Sequence, residues 1–167
     1  MPGDLEDPRI TAFGMLLESH AALVGTIGRD LEEVSGLPLN SFGILLRLAR
    51  TPGQRLRMTE LAAQASLSTS GLTRLVDRLE ESGHLRRDPS VSDRRSSFAT
   101  LTDQGAQVVT DALPSHLESL ERTMAGPLGA DGIASLTSML AAIRDCARAT
   151  PVSYTHLRAH ETRGNLV

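Results

Sequence analysis

The residues of this 167-residue chain best suited to chemistry lie between Ser68 and Arg95. From Thr69 to Ser82 the apolar positions Leu72, Leu75, Val76 and Leu79 fall at i, i+3, i+4 and i+7, which predicts a helix with one buried face. Its outward set is Thr69, Ser70, Thr73, Arg74, Asp77, Arg78 and Glu81, with Ser68 as N-cap and Gly83 where a C-terminal cap belongs. Short hydroxyl side chains let a helix backbone approach a groove closely, and guanidinium groups make bidentate hydrogen bonds to guanine or phosphate. After His84, two short extended runs flank a Pro/Ser/Asp turn between Leu85 and Thr102, a hairpin carrying Arg86, Arg87, Asp93, Arg94 and Arg95. A guanidinium at such a tip can enter a minor groove, where the negative potential of A·T tracts is strongest.

Other chemistries find little support. Ser68 and Ser70 have no adjacent His or Lys, and no paired carboxylates, glycine-rich phosphate loop or metal-ligand spacing occurs. The expectation is therefore no catalytic residue, no metal, no cofactor and no enzyme activity. A single cysteine cannot make an internal disulfide. No uninterrupted apolar run approaches the ~20 residues that span a bilayer, which predicts a cytoplasmic protein with no membrane partner.

Charge is unevenly distributed. Residues 47–95 hold ten arginines against six acids, leaving +4, whereas the rest of residues 1–151 holds five arginines against thirteen acids, leaving −8. A basic middle between acidic ends suits a small nucleic-acid binder with separate contact and scaffold regions.

The elements that must position these residues are mostly helical. Ile10, Phe13, Leu17, His20, Val24, Ile27, Leu31 and Val34 alternate spacings of three and four, a helix with a heptad seam closed by Gly36 and Pro38. A second helix runs through Phe42, Leu45, Leu46, Leu48 and Ala49 to Thr51-Pro52-Gly53, and a two-turn helix follows from Met58 to Ala65. After the hairpin, Thr102 caps a long helix through Ala106, Val109, Leu113, Leu117, Leu120 and Met124, which Pro114 is expected to bend. Gly126, Pro127 and Gly129 break it, and a last helix presents Ile133, Leu136, Met139, Leu140, Ile143 and Ala147 on one face. The fold class is mainly α: a winged helix-turn-helix with a small β-hairpin wing, flanked by N- and C-terminal helices.

The segments Met58-Thr-Glu-Leu-Ala62, Leu67-Ser68, Thr73-Arg-Leu-Val-Asp-Arg-Leu-Glu80, Gly83, Asp93-Arg-Arg95 and Leu101-Thr-x-x-Gly105 together resemble the MarR-type winged-helix transcription factors, over Ile10 to about Thr150. The resemblance implies a ligand-responsive regulator, a repressor, that binds a palindromic operator in double-stranded DNA as a homodimer with interleaved terminal helices. It implies base-edge contacts from Ser70, Thr73 and Arg74 in a helix opening at Ser68, phosphate or sugar contacts from Thr69 and Arg78, and weaker phosphate contacts from Arg86 and Arg87. In the wing it implies a minor-groove contact from Arg94 or Arg95, one of them oriented by Asp93. A small aromatic or phenolic effector is implied as well, in a pocket that His20 and His116 could line. A lone histidine on an apolar face is more often a hydrogen-bonded interface residue, and that reading of both is preferred. Ser97 stands where the family pattern has an apolar residue, and Gly71 is unexpected inside the recognition helix.

The domain reading is an N-terminal dimerisation helix over 1–36, a DNA-binding lobe over 37–102 and C-terminal dimerisation helices over 103–150. Residues 152–162 resemble one reading frame of a transposase-type sequencing adaptor, so 151–167 are set aside as non-native. Cys146, Met124 and Met139 are expected to be packing residues rather than a redox or ligand site. The alternative function is a winged-helix module that binds protein; exposed apolar residues on the Thr69–Ser82 helix would favour it, and that face carries none.

Overall fold

The structure, a computed structural model, describes residues 5–89 and 96–149. Helix α1 (Pro8–Ser35) starts at Asp7, whose side chain accepts from the Arg9 amide, and ends at Gly36 in the left-handed region, where a Cβ would be strained. Helix α2 (Leu39–Ala49) leads through a 3₁₀ turn (Pro52–Gln54) to strand β1 (Arg55–Arg57). Helix α3 (Met58–Ala65) ends at Ser66 with φ 54°, the tight turn before helix α4 (Thr69–Glu81). Strands β2 (Leu85–Pro89) and β3 (Ser97–Leu101) form the predicted hairpin, and helix α5 (Asp103–Leu120) follows, capped by Thr102. A π turn (Glu121–Ala125) connects to helix α6 (Gly126–Ala149), which is broken at Gly129.

The sheet is antiparallel in the order β1-β3-β2, so the hairpin expected from the sequence has a third strand. Three residues are too few to show a period, which is why β1 was not legible; Leu56 is buried there between two arginines.

One core fills the unit that ends at Pro127. Phe42, Ile44, Leu45 and Leu48 of α2 meet Leu61 of α3, the predicted face Leu72, Leu75, Val76 and Leu79 of α4, and Leu56, Leu85, Ala99 and Leu101 of the sheet. Leu31 of α1 and Val109 and Ala112 of α5 join the same core. Each such side chain, fully buried, contributes about 1.5–3 kcal/mol by transfer, so this cluster dominates the stability of the lobe. Asp30 of α1 accepts from Ser119 Oγ of α5 (2.7 Å) and pairs with Arg122, which fixes the two long helices at a second point. The Ser119 hydroxyl first, then Arg122, holds the Asp30 carboxyl below the usual range against the opposing effect of burial.

Gly105 explains the glycine of the Leu-Thr-x-x-Gly motif. A Cβ there would lie 1.9 Å from the His84 carbonyl oxygen and 2.9 Å from Leu101 Cδ1, so α5 can sit against the start of the wing only if this position lacks a side chain.

Three sequence expectations need correction. Helix α1 is long and apolar enough to cross a membrane by length and composition, although its runs are interrupted; Glu18 is the sole charged residue between Ile10 and Ile27. The heptad seam of α1 is buried only at Ile27 and Leu31, while Ile10, Phe13 and Leu17 are more than half exposed. Within the second unit, from Leu128 onward, Met139 is 58% exposed and Cys146 is exposed, so neither packs in a core of this chain. Helical spacing identifies an apolar face and not what covers it.

Candidate nucleic-acid interface

The recognition helix is fixed at both ends by its own sequence. Ser68 Oγ accepts from the Gly71 amide at 3.1 Å, the predicted N-cap. A Cβ on Gly71 would stand 3.1 Å from that hydroxyl, so the glycine inside the helix leaves room for the cap. At the other end the amides of Gly83 and His84 donate to the Glu80 and Leu79 carbonyls, a Schellman pair with Gly83 at φ 75°.

Between these caps α4 presents Thr69, Ser70, Thr73, Arg74 and Arg78, all exposed. Thr73 Oγ1 donates to the Thr69 carbonyl at 2.8 Å, which leaves its oxygen free to accept, and Ser70 Oγ lies 3.3 Å from Ser68 Oγ. Neither Arg74 nor Arg78 forms an ion pair with a described residue, so both guanidiniums are available to an anion. The side chains that the sequence proposed for one face do share it.

The arginines of the wing differ from one another. Arg87 is not free: its Nη2 lies 2.6 Å from Asp77 Oδ1, its Nη1 2.9 Å from Glu80 Oε2, and its backbone amide donates to Glu80 Oε1 at 2.8 Å. The alternation of β2 turns Arg87 to the α4 side with Leu85, so its reading as a phosphate contact gives way to a tie between wing and recognition helix. Arg86 faces the other way, 60% exposed, and pairs with Asp88 at 2.9 Å. The Arg86 guanidinium first, then the Thr100 hydroxyl, holds the Asp88 carboxyl below the usual range. Asp93, Arg94 and Arg95 lie outside the described residues. Ser97 sits half-buried opposite Pro89 at the start of β3.

Sequence reasoning missed two arginines that β1 brings to the wing. Arg55 and Arg57 lie with their guanidinium carbons 4.5 and 5.1 Å from the centroid of the Phe98 ring. The one signal available was the alternation Arg-Leu-Arg before Met58.

His20 and His116, far apart in sequence, line one open groove of about 770 Å³. Its walls come from α1 (Val24, Gly28, Arg29), α2 (Asn40, Gly43, Arg47) and the turn before α4 (Ala65, Leu67). His116 packs edge-on to Phe42 with ring centroids 5.3 Å apart, and its Nδ1 is buried without a hydrogen-bond partner among the described residues. Burial lowers its pKa from the ordinary histidine value, so the ring tends to stay neutral. No group of three or more His, Cys, Asp or Glu able to hold a metal ion occurs among the described residues.

A family model described as MarR family matches residues 35–96. The HTH-type transcriptional regulator PecS of Dickeya dadantii is 31% identical over 141 residues, which cover 82% of each chain. The chain belongs to the MarR family. Among solved structures, AbsC, a MarR family transcriptional regulator from Streptomyces coelicolor, superposes with a TM-score of 0.81 at 30% identity, over 89% of this chain and 99% of its own. Sco3205 from the same organism, a MarR family transcriptional regulator solved in complex with DNA, gives a TM-score of 0.81 at 30% identity over 99% and 98% of the two chains. The protein is thus a MarR-family DNA-binding transcriptional regulator with a winged-helix fold, and these relatives are regulators rather than enzymes.

Proposed function

We propose that the protein is a ligand-responsive repressor, a cytoplasmic homodimer that reads an imperfect palindrome. The observation that carries the DNA contact is the outer face of α4: capped at both ends, without an exposed apolar side chain, and with Arg74 and Arg78 unpaired by described residues. In this reading Ser70, Thr73 and Arg74 meet base edges in the major groove, Ser68 opens the helix, and Thr69 and Arg78 meet the backbone. Arg86 adds a phosphate contact, and Asp93, Arg94 and Arg95 form the minor-groove tip. Residues 37–102 form the DNA lobe, and the apolar faces of 1–36 and 103–150 are covered by a second copy. The exposure of Ile10, Phe13 and Leu17 on α1 and of Met139 and Ile143 on α6 supports that cover, because apolar faces of this extent seldom stay in water.

The His20/His116 groove supports ligand response. Its apolar walls and few convergent polar groups suit a small aromatic or phenolic molecule, whose hydroxyl could satisfy the buried His116 Nδ1. NadR, a structure neighbour at 24% identity, is bound to 4-hydroxyphenylacetate. An occupant would press on Ala65 and Leu67, which lead directly into the Ser68 cap, and so re-aim α4. Half-sites stand about one helical turn apart, so a small rotation of each lobe misaligns both contacts.

The test is a fluorescence-anisotropy titration against the protein's own upstream intergenic DNA and a scrambled duplex, at two salt concentrations, with and without 4-hydroxyphenylacetate. Preference for the upstream duplex by about 10³ or more, lost when ligand is added, is the expected result. Equal binding to both duplexes would favour the protein-interaction reading of the winged helix. Specific binding that no phenolic compound releases would remove the ligand response alone.

A further inference from the structure

Strand β1 joins the wing from a segment that precedes the recognition helix, and it carries arginines to a face that α4 does not use. The register sets Arg57 against Phe98 and Arg55 against Thr100, while β2 sets Arg86 against Thr100 and Asp88 against Phe98. Because strand side chains alternate, Arg55, Arg57, Phe98, Thr100, Arg86 and Asp88 share the outer face of the sheet, opposite Leu56, Leu85, Ala99 and Leu101 in the core. Three arginines thus stand against one carboxylate, and that carboxylate is engaged by Arg86 Nε (2.9 Å) and Thr100 Oγ1 (2.7 Å).

The arginines of β1 are ordered before any partner arrives. Both guanidiniums stack on Phe98, and Arg57 Nη1 also donates to Ser96 Oγ at 3.1 Å, where β3 emerges from the wing tip. Stacking on a ring holds the planar fork while leaving its N–H edge outward, so less side-chain freedom is lost when an anion binds.

We propose that this outer face is an additional DNA contact, in which Arg55 and Arg57 bind backbone phosphates of the duplex flanking the half-site, beyond the wing. The inference rests on the DNA-binding reading of α4 and the wing, and it assigns a surface and two residues outside that reading. Charge complementarity and continuity with the wing select the occupant. An acidic protein would also match the charge. However, protein interfaces are centred on exposed apolar or aromatic side chains, and the ring on this face is half-buried beneath two guanidiniums. None of the large exposed hydrophobic side chains among the described residues belongs to the sheet.

The test uses the full chain and genomic fragments recovered by selection for binding. Each recovered site is synthesised at minimal length and again with about one helical turn added on either side. Anisotropy titrations across salt then compare wild type with the double variant Arg55→Ala, Arg57→Ala. Each phosphate contact contributes about 0.9 to the slope of log affinity against log salt, so the double variant should lose roughly 1.8 of slope on the long duplex and none on the short one. Wild-type affinity for the long duplex should therefore fall about 12-fold more than the variant's between about 50 and 200 mM salt. The charge-conserving pair Arg55→Lys, Arg57→Lys should keep the wild-type slope, which separates charge from loss of the Phe98 stack. Equal weakening on both lengths, or no change of slope on the long one, overturns the proposal; the second result leaves the face to an acidic protein partner. If the wild type recovers no preferred fragment at all, the DNA reading fails and this proposal fails with it.

Discussion

Arg87 offers the sharpest quantitative test of how the wing and the recognition helix act together. In Arg87→Ala the backbone amide still donates to Glu80, but the ion pairs to Asp77 and Glu80 and the 3.3 Å bond to the Thr73 carbonyl are lost. The three side chains are 28%, 45% and 37% exposed, so each pair is screened and contributes about 0.5–1 kcal/mol rather than a buried-pair value. The expected loss is therefore about 1–2 kcal/mol, a fall in melting temperature of roughly 3–6 °C for a chain of this size. DNA binding should weaken too, because two carboxylates beside the outer face of α4 lose their counter-charge. A triple variant, Arg87→Ala with Asp77→Asn and Glu80→Gln, distinguishes a tie from a phosphate contact. If Arg87 acts through the two acids, the salt slope of the triple variant returns to the wild-type value. A slope that stays about 1 lower would mean that Arg87 meets phosphate directly and would refute the argument from its geometry. A melting temperature unchanged in Arg87→Ala would refute the stability half.

Gly105→Ala should cost about 3 kcal/mol or more, since the new methyl group overlaps the His84 carbonyl; a thermal melt within about 2 °C of wild type would show that α5 shifts freely to accommodate it. Arg74→Ala should lose about 1–3 kcal/mol of discrimination between operator and scrambled DNA, whereas Arg78→Ala should weaken both and lower the salt slope by about 1. Equal behaviour of the two variants on both duplexes would undo the division between base and backbone contacts. Since burial depresses the folded-state pKa of His116, the unfolded chain takes up the proton first, and stability is lost as pH falls through the model value of 6.5. The difference in melting temperature between His116→Gln and wild type should therefore change in favour of the variant from about pH 7.5 to 5.5, and a constant difference would contradict it.

Much of the interface was legible in the sequence because it is local. The Leu72, Leu75, Val76, Leu79 stripe fixes which side of α4 is buried, and with it which side holds Thr69, Ser70, Thr73, Arg74 and Arg78. Ser68, Gly83 and Thr102 cap through bonds that span only a few residues, so residue type and spacing suffice to place them. The hairpin follows from its turn residues in the same way.

What depends on long-range pairing was decided by tertiary structure. Arg55 and Arg57 become wing residues only because β1 pairs with β3 some forty positions later, and nothing in Arg-Leu-Arg names that partner. Arg86 and Arg87 are adjacent and chemically identical, yet the pleat sends one to solvent and the other to Asp77 and Glu80. His20 and His116 share a groove because α1 and α5 pack together, and the neutrality of His116 comes from its burial beside Phe42. The sequence by itself determined the elements, their caps and the polar face of α4, since these need only neighbours along one helix or one turn. Folding decided which arginines are free, which are tied, and where the histidines meet, since these depend on which surfaces come into contact.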